Sequence, residues 1–456
     1  MDNAHFVTLS ERIMRIPKAM ISSIIDETQE LIRGGRTMAL SEDNTIVSVM
    51  HPICCGLDVH KESISACLLV SAADGRESSE LRQFNTFTRD LRSLRDWLLE
   101  NDCPIVAIES TGIYWRPVLN VLEGGVKIVL VNARHVKNFP GRKTDAADCQ
   151  WLAGLLRHGL LRGSFIPPAE VRDWRDWTRL RKKHLQTLGD YKRRTHKLLE
   201  SANIKLDSVV SELFGQTGRR ILDLLASNPE NLTRADIDHC AAGKLKAKKD
   251  ELFQAIQGFF REHHRELLHS LLRTIALLEA EIAFIDQRLQ EVLQKQQPVL
   301  DRLDEVPGIA QVSASAILAE IGPTLEDFPR SAALASWAGL CPGNHESAGK
   351  RKNSRHPVRH HHLKTILIEV AWAAVKKKGS YYKDKFHRLK ARRGPKKAIV
   401  AIAHRLLKAI YHIIKEGRHF KDLGEDYLTW RNQAAKLNYL KKQAQVLGFR
   451  LAPLEA

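Results

Sequence analysis

The spacing of apolar and polar residues changes near residue 166, and it predicts a different kind of structure on each side. Before that point, short apolar runs typical of buried strands alternate with stretches of helical period. The predicted strands cover Ile53–Val59 and residues 64–70, 104–108 and 126–131, with another in the polar stretch that ends at Asn85. The predicted helices cover residues 90–99 and 113–122. Strands joined by helices predict an α/β domain with a mixed sheet.

After residue 166 the pattern predicts helices and no strands. Residues 170–202 and 261–297 are long and charged, which is typical of a helical hairpin or a coiled coil. The second segment repeats apolar residues at heptad-like spacing: Leu271, Ile275, Leu278, Ile282, Ile285, Leu289 and Leu293. Residues 217–225 and 235–258, between the two, are also predicted to be helical, as a cap on the hairpin or an insertion.

These patterns divide the chain into five segments. Residues 1–50 are an accessory segment, in which residues 19–32 fit an amphipathic helix ended by Gly34 and Gly35, and Met38 and Met50 are alternative starts. The α/β domain covers residues 51–166 and the coiled-coil region 167–298. A final helical domain covers 299–415, and a tail covers 416–456. The predicted fold class is α/β plus all-α.

The distribution of charge adds a partner to this picture. The chain has 71 Lys and Arg against 53 Asp and Glu, a formal charge of +18, and residues 330–410 alone hold 20 basic residues and three acids. A solubilising surface usually mixes both signs, so this stretch favours a nucleic acid, although ribosomal and membrane-surface proteins share such an excess.

Cysteine usage and the N-terminus indicate a cytoplasmic protein. The seven cysteines form no CxxC pair and several lie in apolar runs, which predicts reduced, buried thiols and no zinc site. The N-terminal residues lack the order of a signal peptide, and no apolar run has membrane-spanning length.

Four acids recur at positions where metal-dependent chemistry would need them. Asp58 and Glu109 each end a predicted strand, and Asp145 and Asp148 share one helical face at i,i+3 spacing. Singly, each has a plainer explanation as a strand-end, turn or helix N-terminal residue, with Thr144 as the helix cap. Together, on an α/β scaffold followed by a basic half, they predict carboxylates that hold two divalent cations for phosphoryl transfer.

The motifs around these acids resemble a known family. Gly-Leu-Asp58-Val-His-Lys, Glu109-Ser-Thr-Gly and Lys-Thr-Asp145-Ala-Ala-Asp148 resemble those of the IS110 family of bacterial insertion-sequence DEDD transposases. The resemblance covers roughly residues 55–165 and 300–410. It implies a RuvC-like, RNase H-type domain at residues 51–166, followed by the coiled coil and a helical C-terminal transposase domain.

A second part of the resemblance lies in the run from Trp337 to Lys352. The family's corresponding loop supplies a nucleophilic serine, which by resemblance is Ser347. The usual Ser-Gly is Ser-Ala-Gly here, and Ser354 is an alternative. A serine hydroxyl needs a base or metal and nearby cations to attack a phosphate, which predicts a composite site with the carboxylates. From the loop alone, a serine that only contacts phosphate is the favoured interpretation.

Three further motifs bear on phosphate and metal binding. The Ser347 loop is no P-loop, because five residues separate Gly343 from Gly349 and Arg351 stands where Ser or Thr is required. Residues 306–322 resemble a helix–hairpin–helix, in which backbone N–H groups bind phosphate, and are equally consistent with a tight turn between helices. His356 and His360–His362 are predicted to be part of the polyanion surface, since adjacent helical histidines cannot all ligate one ion.

The residues predicted to contact nucleic acid are basic or lie in the turn just described. They are Lys61, Arg142, Lys143, Gly308, Lys350, Arg351, Lys352, Arg355, Lys376, Lys377, Arg392, Arg393, Lys396 and Lys397. Tyr381 and Tyr382 lie among them, and such interleaving of cations and aromatics is typical of surfaces that contact the backbone and stack on bases.

The favoured hypothesis is a transposase that cuts and rejoins DNA through a covalent 5′-phosphoserine intermediate, with Mg²⁺ bound by the carboxylates. The resemblance also implies homodimers or tetramers formed through the coiled coil, and guidance by a structured RNA from the element's end, which pairs with donor and target DNA. One alternative is a RuvC-like junction endonuclease that uses water and ignores Ser347. The other is an inactive nucleic-acid-binding relative.

Overall fold

The computed structural model describes residues 49–71, 76–110, 112–132, 145–227, 232–342, 345–347, 350–353 and 361–450. For residues 145–147, 345–347, 350–353, 361, 434 and 435 it describes the backbone alone. The accessory helix expected at residues 19–32 lies outside these ranges. The chain divides into two compact units, with the boundary between Phe165 and Ile166.

The first unit contains a five-stranded sheet and helices that follow its strands. The strands are β1 (Ile53–Val59), β2 (Ser63–Ser71), β3 (Glu77–Asn85), β4 (Ile105–Glu109) and β5 (Lys127–Val131). The described helices are α1 (Thr88–Glu100), α2 (Trp115–Leu122) and α3 (Asp145–Arg157). Strands β1, β2, β4 and β5 and helices α1 and α2 lie close to where the apolar pattern predicted them, because buried strands read as apolar runs.

The sheet is mixed, with the order β3-β2-β1-β4-β5. β1, β2 and β3 form an antiparallel meander, whereas β1, β4 and β5 run parallel. The parallel pairs bring the carboxyl ends of β1 and β4 to one edge of the sheet. This arrangement confirms the predicted α/β fold class for the N-terminal part.

The second unit is largely helical. Its first helices are α4 (Ala169–Ser201), α5 (Leu206–Val209), α6 (Gln216–Ser227), α7 (Arg234–Cys240), α8 (Lys249–Ala255) and α9 (Glu262–Val292). The long helices α4 and α9 pack along each other, and the short ones form an apolar core against them, as the predicted hairpin and cap required. The helix expected to reach residue 297 ends at Val292, because Pro298 starts a new helix.

The rest of the second unit holds further helices and one small hairpin. The helices are α10 (Gln297–Asp304), α11 (Gln311–Ile321), α12 (Ser331–Trp337), α13 (His361–Ala374), α14 (Tyr381–Arg393), α15 (Pro395–Glu416) and α16 (Tyr427–Val446). In the described part of the chain, no helix is both long and apolar enough to span a membrane.

The expectation of no strands beyond residue 166 is wrong. Strands β6 (His345–Ser347) and β7 (Lys350–Asn353) pair in an antiparallel hairpin with a bulge near His345. Both strands are short and polar, so they lack the apolar alternation from which a strand can be predicted. Ser347 therefore ends a strand rather than lying within a loop.

Candidate carboxylate site

Asp58 and Glu109 lie side by side near the ends of two parallel strands. β1 pairs with β4 so that Leu57 is opposite Ile108, which gives Asp58 and Glu109 the next matching positions. Side chains at matching positions of paired strands project from the same face of the sheet. The pairing therefore brings these two carboxylates onto one face at the carboxyl edge of the sheet.

Helix α3 covers that same face along β1. The Cys54 thiol donates a hydrogen bond to the carbonyl of Ala153 at 3.5 Å, and a Cβ built on Gly56 would lie 2.1 Å from the carbonyl oxygen of Cys149. Cys54, Gly56 and Asp58 are every second residue of β1, so they lie on one face of the strand. Because Cys149 lies farther along the strand than Ala153 does, the N-terminal end of α3 is directed toward Asp58.

The face of β4 that carries Glu109 also packs against α3. Ile105 and Ala107, which alternate with Glu109, belong to one apolar cluster with Leu152 and Leu156 of the helix. Thus strands and helix are held together by a buried layer that ends where the carboxylates begin.

The first turn of α3 contributes the other two acids. Asp145 begins the helix and Asp148 follows one turn later, so both lie at the helix end that approaches Asp58. Burial, and to a lesser extent the negative charges of Asp58 and Asp148, raise the pKa of the Cys149 thiol to about 11. Both carboxylates are therefore close enough to act on the same thiol.

The site is open to solvent on one side. The Asp58 side chain is 14% exposed and its Oδ2 atom lies 3.1 Å from Nε2 of His60, which is itself half exposed. Glu109 is partly buried, whereas Asp148 is exposed. The N-terminus of α3 adds a positive dipole end that stabilises nearby carboxylates.

Three residues of this site were missed from the sequence. Ser65 lies opposite Asp58 on β2, and paired residues share a face, so its hydroxyl group borders the acids. His60 contacts Asp58, and its position two residues along the same motif was the available signal. Gly56 permits the close approach of α3, and a glycine inside a buried strand is a recognisable mark of such an approach.

The chemistry of the donors fits a hard divalent cation. Carboxylate oxygens are the ligands that Mg²⁺ prefers, and two strand ends and one helix supply them here. Among the described side chains, no three His, Cys, Asp or Glu residues lie together at metal-binding distance, and the side chain of Asp145 is outside that set. Asp58, Glu109 and Asp148 are thus on a common face without forming a closed ligand cage.

Ser347 lies in the second unit, whereas the acids lie in the first. It is the last residue of β6 and its Cα partner on β7 is Lys350, and Glu346 is opposite Arg351. The hairpin register thus puts a basic residue directly across from the serine. Ser354, the alternative nucleophile, lies outside the described residues.

The basic residues predicted to contact nucleic acid lie mostly on exposed segments. Lys61 is in the turn between β1 and β2, Lys350–Lys352 are in β7, and Lys376 and Lys377 follow α13. Arg392 and Arg393 end α14, and Lys396 and Lys397 lie in the first turn of α15. These four residues are exposed, as are Lys376 and Lys377. Arg142, Lys143 and Arg355 lie outside the described residues, as do His356 and His360.

Two predictions for this surface concern the pair Tyr381 and Tyr382 and the turn at Gly308. Tyr381 and Tyr382 are buried, so the expectation that they stack on bases is wrong; their apolar rings pack beneath the cations instead. Gly308 has φ of +84°, and a Cβ there would lie 2.5 Å from the carbonyl oxygen of Val370 on α13. Its glycine is therefore required for close packing of the turn on α13, and contact with phosphate stays a prediction.

Two family models match parts of the chain. A family model of DEDD transposases of the IS110 type, described as a transposase, matches residues 55–204, and one described as the transposase IS116/IS110/IS902 family matches residues 300–387. Fold and site thus define the class as a transposase with a DEDD nuclease domain. Together the two matches cover more than half of the chain, which belongs to the IS110 family of transposases.

Solved structures of RuvC from Thermus thermophilus are also similar in part. One is RuvC in complex with a Holliday junction substrate, with 13% identity, and another is RuvC itself, with 12% identity. Each match covers 25% of this chain and nearly the whole RuvC chain, with a TM-score of 0.20. At that TM-score the fold assignment rests on the sheet order alone. The comparison with curated proteins gave no match.

Proposed function

We propose that this transposase cuts and rejoins DNA with Mg²⁺-binding carboxylates and a serine nucleophile. The observation that carries the proposal is the common face that adjacent parallel strands and the first turn of α3 give to the acids. The proposed metal-binding residues are Asp58, Glu109, Asp145 and Asp148. Divalent cations bound there would neutralise charge on the phosphate and acidify an attacking hydroxyl group.

Ser347 is the proposed nucleophile. Its Oγ atom attacks the phosphorus of a phosphodiester, the bond to the 3′ oxygen breaks, and the 3′ oxygen takes up a proton while the serine loses one. The product is a free 3′-hydroxyl and a 5′-phosphoserine, so the energy of the broken bond is kept in the new ester. Attack by a 3′-hydroxyl of another strand then rejoins the DNA and releases the serine. Lys350, opposite Ser347 in the hairpin register, is suited to hold the phosphate.

The other segments take supporting roles in this proposal. We assign the coiled-coil region, residues 167–298, to self-association into a dimer or tetramer that brings Ser347 to the carboxylates. The helical domain at 299–415 and its exposed cations bind donor and target DNA and a structured guide RNA, with Gly308 in a phosphate-binding turn. The net charge of +18 and the exposure of these cations support the assignment.

A covalent adduct is the test of the serine. End-labelled element DNA is incubated with protein, Mg²⁺ and RNA transcribed from the element's end, and the products are separated on denaturing gels. We expect a protein–DNA adduct that the Ser347→Ala variant fails to form and the Ser354→Ala variant still forms. Loss of the adduct only in Ser354→Ala would move the nucleophile to Ser354.

The same gels separate the competing functions. A junction endonuclease that uses water would cleave DNA fully with Ser347→Ala and form no adduct. An inactive relative would show no Mg²⁺-dependent difference between the native protein and the Asp58→Asn variant. Omitting the RNA tests guidance separately, because an unguided enzyme would form the same adduct without it.

A further inference from the structure

Five basic side chains gather where α14, α15 and α16 meet. These residues form the C-terminal cation cluster, which consists of Lys385, Arg388, Arg392, Arg405 and Arg431. Direct contacts hold the three helices in place. Arg388 Nη2 donates to the hydroxyl of Thr429 at 2.7 Å, and the ring of Tyr381 lies 5.9 Å from the ring of Tyr427 and 5.9 Å from the guanidinium carbon of Arg405.

The cluster is built on a buried aromatic floor. Tyr381 is buried, and on α14 Lys385, Arg388 and Arg392 follow it at helical spacing on one face. Arg431 stands one turn beyond Tyr427 on α16. Packing of Tyr381 against Tyr427 therefore fixes the helix positions from which these cations extend.

The positive charge of the cluster is largely uncompensated. Asp384 pairs with Arg388 at 2.9 Å, and the carboxylate of Asp422 accepts hydrogen bonds from the backbone amides of Tyr381 and Gly424. In the part of the chain that the structure describes, no acid forms an ion pair with the other four members of the cluster.

Lys385 is subject to the resulting repulsion. Burial, and after it the charges of the four arginines of the cluster, lower the pKa of Lys385. Charges of one sign held together by packing are stabilised when an anion binds among them, and guanidinium groups suit phosphate oxygens. The cluster thus has the properties of a phosphate site.

The surroundings favour a polymer over a single phosphate. Helix α16 carries four basic residues, Arg431, Lys436, Lys441 and Lys442, and no acid along its whole length. Trp430 and Tyr439 are exposed on it, each by more than 60%. Cations interleaved with exposed aromatic rings are typical of a surface that contacts a nucleic-acid backbone and stacks on bases.

We propose that the C-terminal cation cluster and α16 form a binding site for the phosphodiester backbone of a nucleic acid. Four of the five members of the cluster lie beyond residue 387, where the match to the second family model ends. The site thus lies largely beyond the segment that this family model matches. The proposal rests on the proposed function only in taking nucleic acid as the substrate, and it needs no catalysis.

The test is the salt dependence of binding by the full chain without Mg²⁺ and with EDTA. Fluorescence anisotropy measures the affinity for duplex DNA, single-stranded DNA and an RNA hairpin at several salt concentrations. The variant carries Arg392→Gln and Arg431→Gln, which remove two exposed charges of the cluster. The control carries Lys244→Gln and Lys246→Gln, which remove two exposed charges far along the chain.

We expect the plot of log affinity against log salt to become less steep by about two for the cluster variant and to stay unchanged for the control. A change with only one of the three polymers supports the proposal and identifies its ligand. Equal slopes for cluster variant, control and native chain overturn it. If the double variant melts at a lower temperature, Arg431→Gln alone is used, with an expected change of about one. Because cleavage is absent here, failure of the serine chemistry leaves this result unaffected.

Discussion

Gly56 of β1 lies directly beneath the carbonyl oxygen of Cys149 on α3, so close that a Cβ at this glycine would stand 2.1 Å from that oxygen. The same Cβ would lie 2.6 Å from the backbone nitrogen of Ala153. Both neighbours are helix backbone, which cannot move aside as a flexible side chain can. The absence of a side chain at Gly56 therefore sets the distance between α3 and the sheet, and with it the height of Asp148 above Asp58.

The first prediction concerns this contact. We expect Gly56→Ala to destabilise the first unit by about 3 kcal/mol, because α3 must lift from the sheet. Adduct formation should fall as well, since the acids on α3 then separate from Asp58. Urea unfolding and the denaturing-gel assay measure the two effects.

Gly154 provides the matched control for that substitution. It lies in the middle of the same helix, and nothing lies within 4 Å of a Cβ built there. Gly154→Ala should leave adduct formation intact and stabilise the helix by up to about 1 kcal/mol. Equal losses in both variants would mean that α3 tolerates no added methyl group and that Gly56 has no special part in the site.

The sequence was most informative where burial is complete. β1 and β4 are short apolar runs because both faces of these strands are covered, and such runs can be recognised without any long-range information. Asp58 and Glu109 were recognisable for the opposite reason, as charged residues at the ends of apolar runs. Their common face could not be read from the sequence, because it depends on the register between β1 and β4.

The polar segments of the second unit, beyond residue 340, were harder to predict. The hairpin of β6 and β7 has no apolar alternation, so its strands are defined only by backbone hydrogen bonds. Tyr381 and Tyr382 stand among lysines and arginines, and sequence alone gives such neighbours equal exposure. Their burial depends on Phe420 and Tyr427, which come from more than 35 residues farther along the chain.

The second prediction concerns the metal. If the carboxylates bind Mg²⁺, the native chain should gain stability as Mg²⁺ is added, by about 2.7 kcal/mol at a concentration one hundred times the dissociation constant. Asp58→Asn should lose most of this gain. Asp96→Asn is the control, because Asp96 is an exposed acid that pairs with its neighbour Arg95. Thermal unfolding with and without Mg²⁺ measures the gain, and an undiminished gain in Asp58→Asn would remove Asp58 from the ligands.

The third prediction concerns the link between α4 and α11. Arg179 donates from Nε and Nη2 to the two carboxylate oxygens of Glu320 at 2.9 and 3.0 Å, and Glu320 is only 3% exposed. Arg175 beside it donates to the carbonyl of Ala319 at 3.0 Å. We expect Glu320→Ala to destabilise the second unit by about 3 kcal/mol, since it leaves guanidinium charge without its buried partner.

An exposed ion pair within one helix is the control for Glu320. Arg288 and Glu291 are about half exposed and lie on one turn of α9. Glu291→Ala should change the stability by less than about 1 kcal/mol, because water and salt screen such a pair. Urea unfolding measures the free energy of unfolding of both variants. Equal losses would mean that the burial of Glu320 does not make its ion pair more stabilising than an exposed one.

The fourth prediction concerns alkaline pH. Burial raises the pKa of Cys54 to about 12 and that of Cys103 to about 11, against 9.0 for a free thiol. The folded chain therefore keeps protons that the unfolded chain releases above pH 9. The contribution of these thiols to stability is constant below that pH and falls as the pH rises from 9 toward 11. The loss is at most about 1.4 kcal/mol per pH unit and thiol. Hydrogen exchange of β1 and β2 at pH 7.5 and 10 should show this loss of stability. The loss should be smaller when Cys54 and Cys103 are both changed to Ala. Cys240 lies in the second unit, so Cys240→Ala should leave the loss unaltered. An identical loss in the double variant would assign the alkaline sensitivity to other groups.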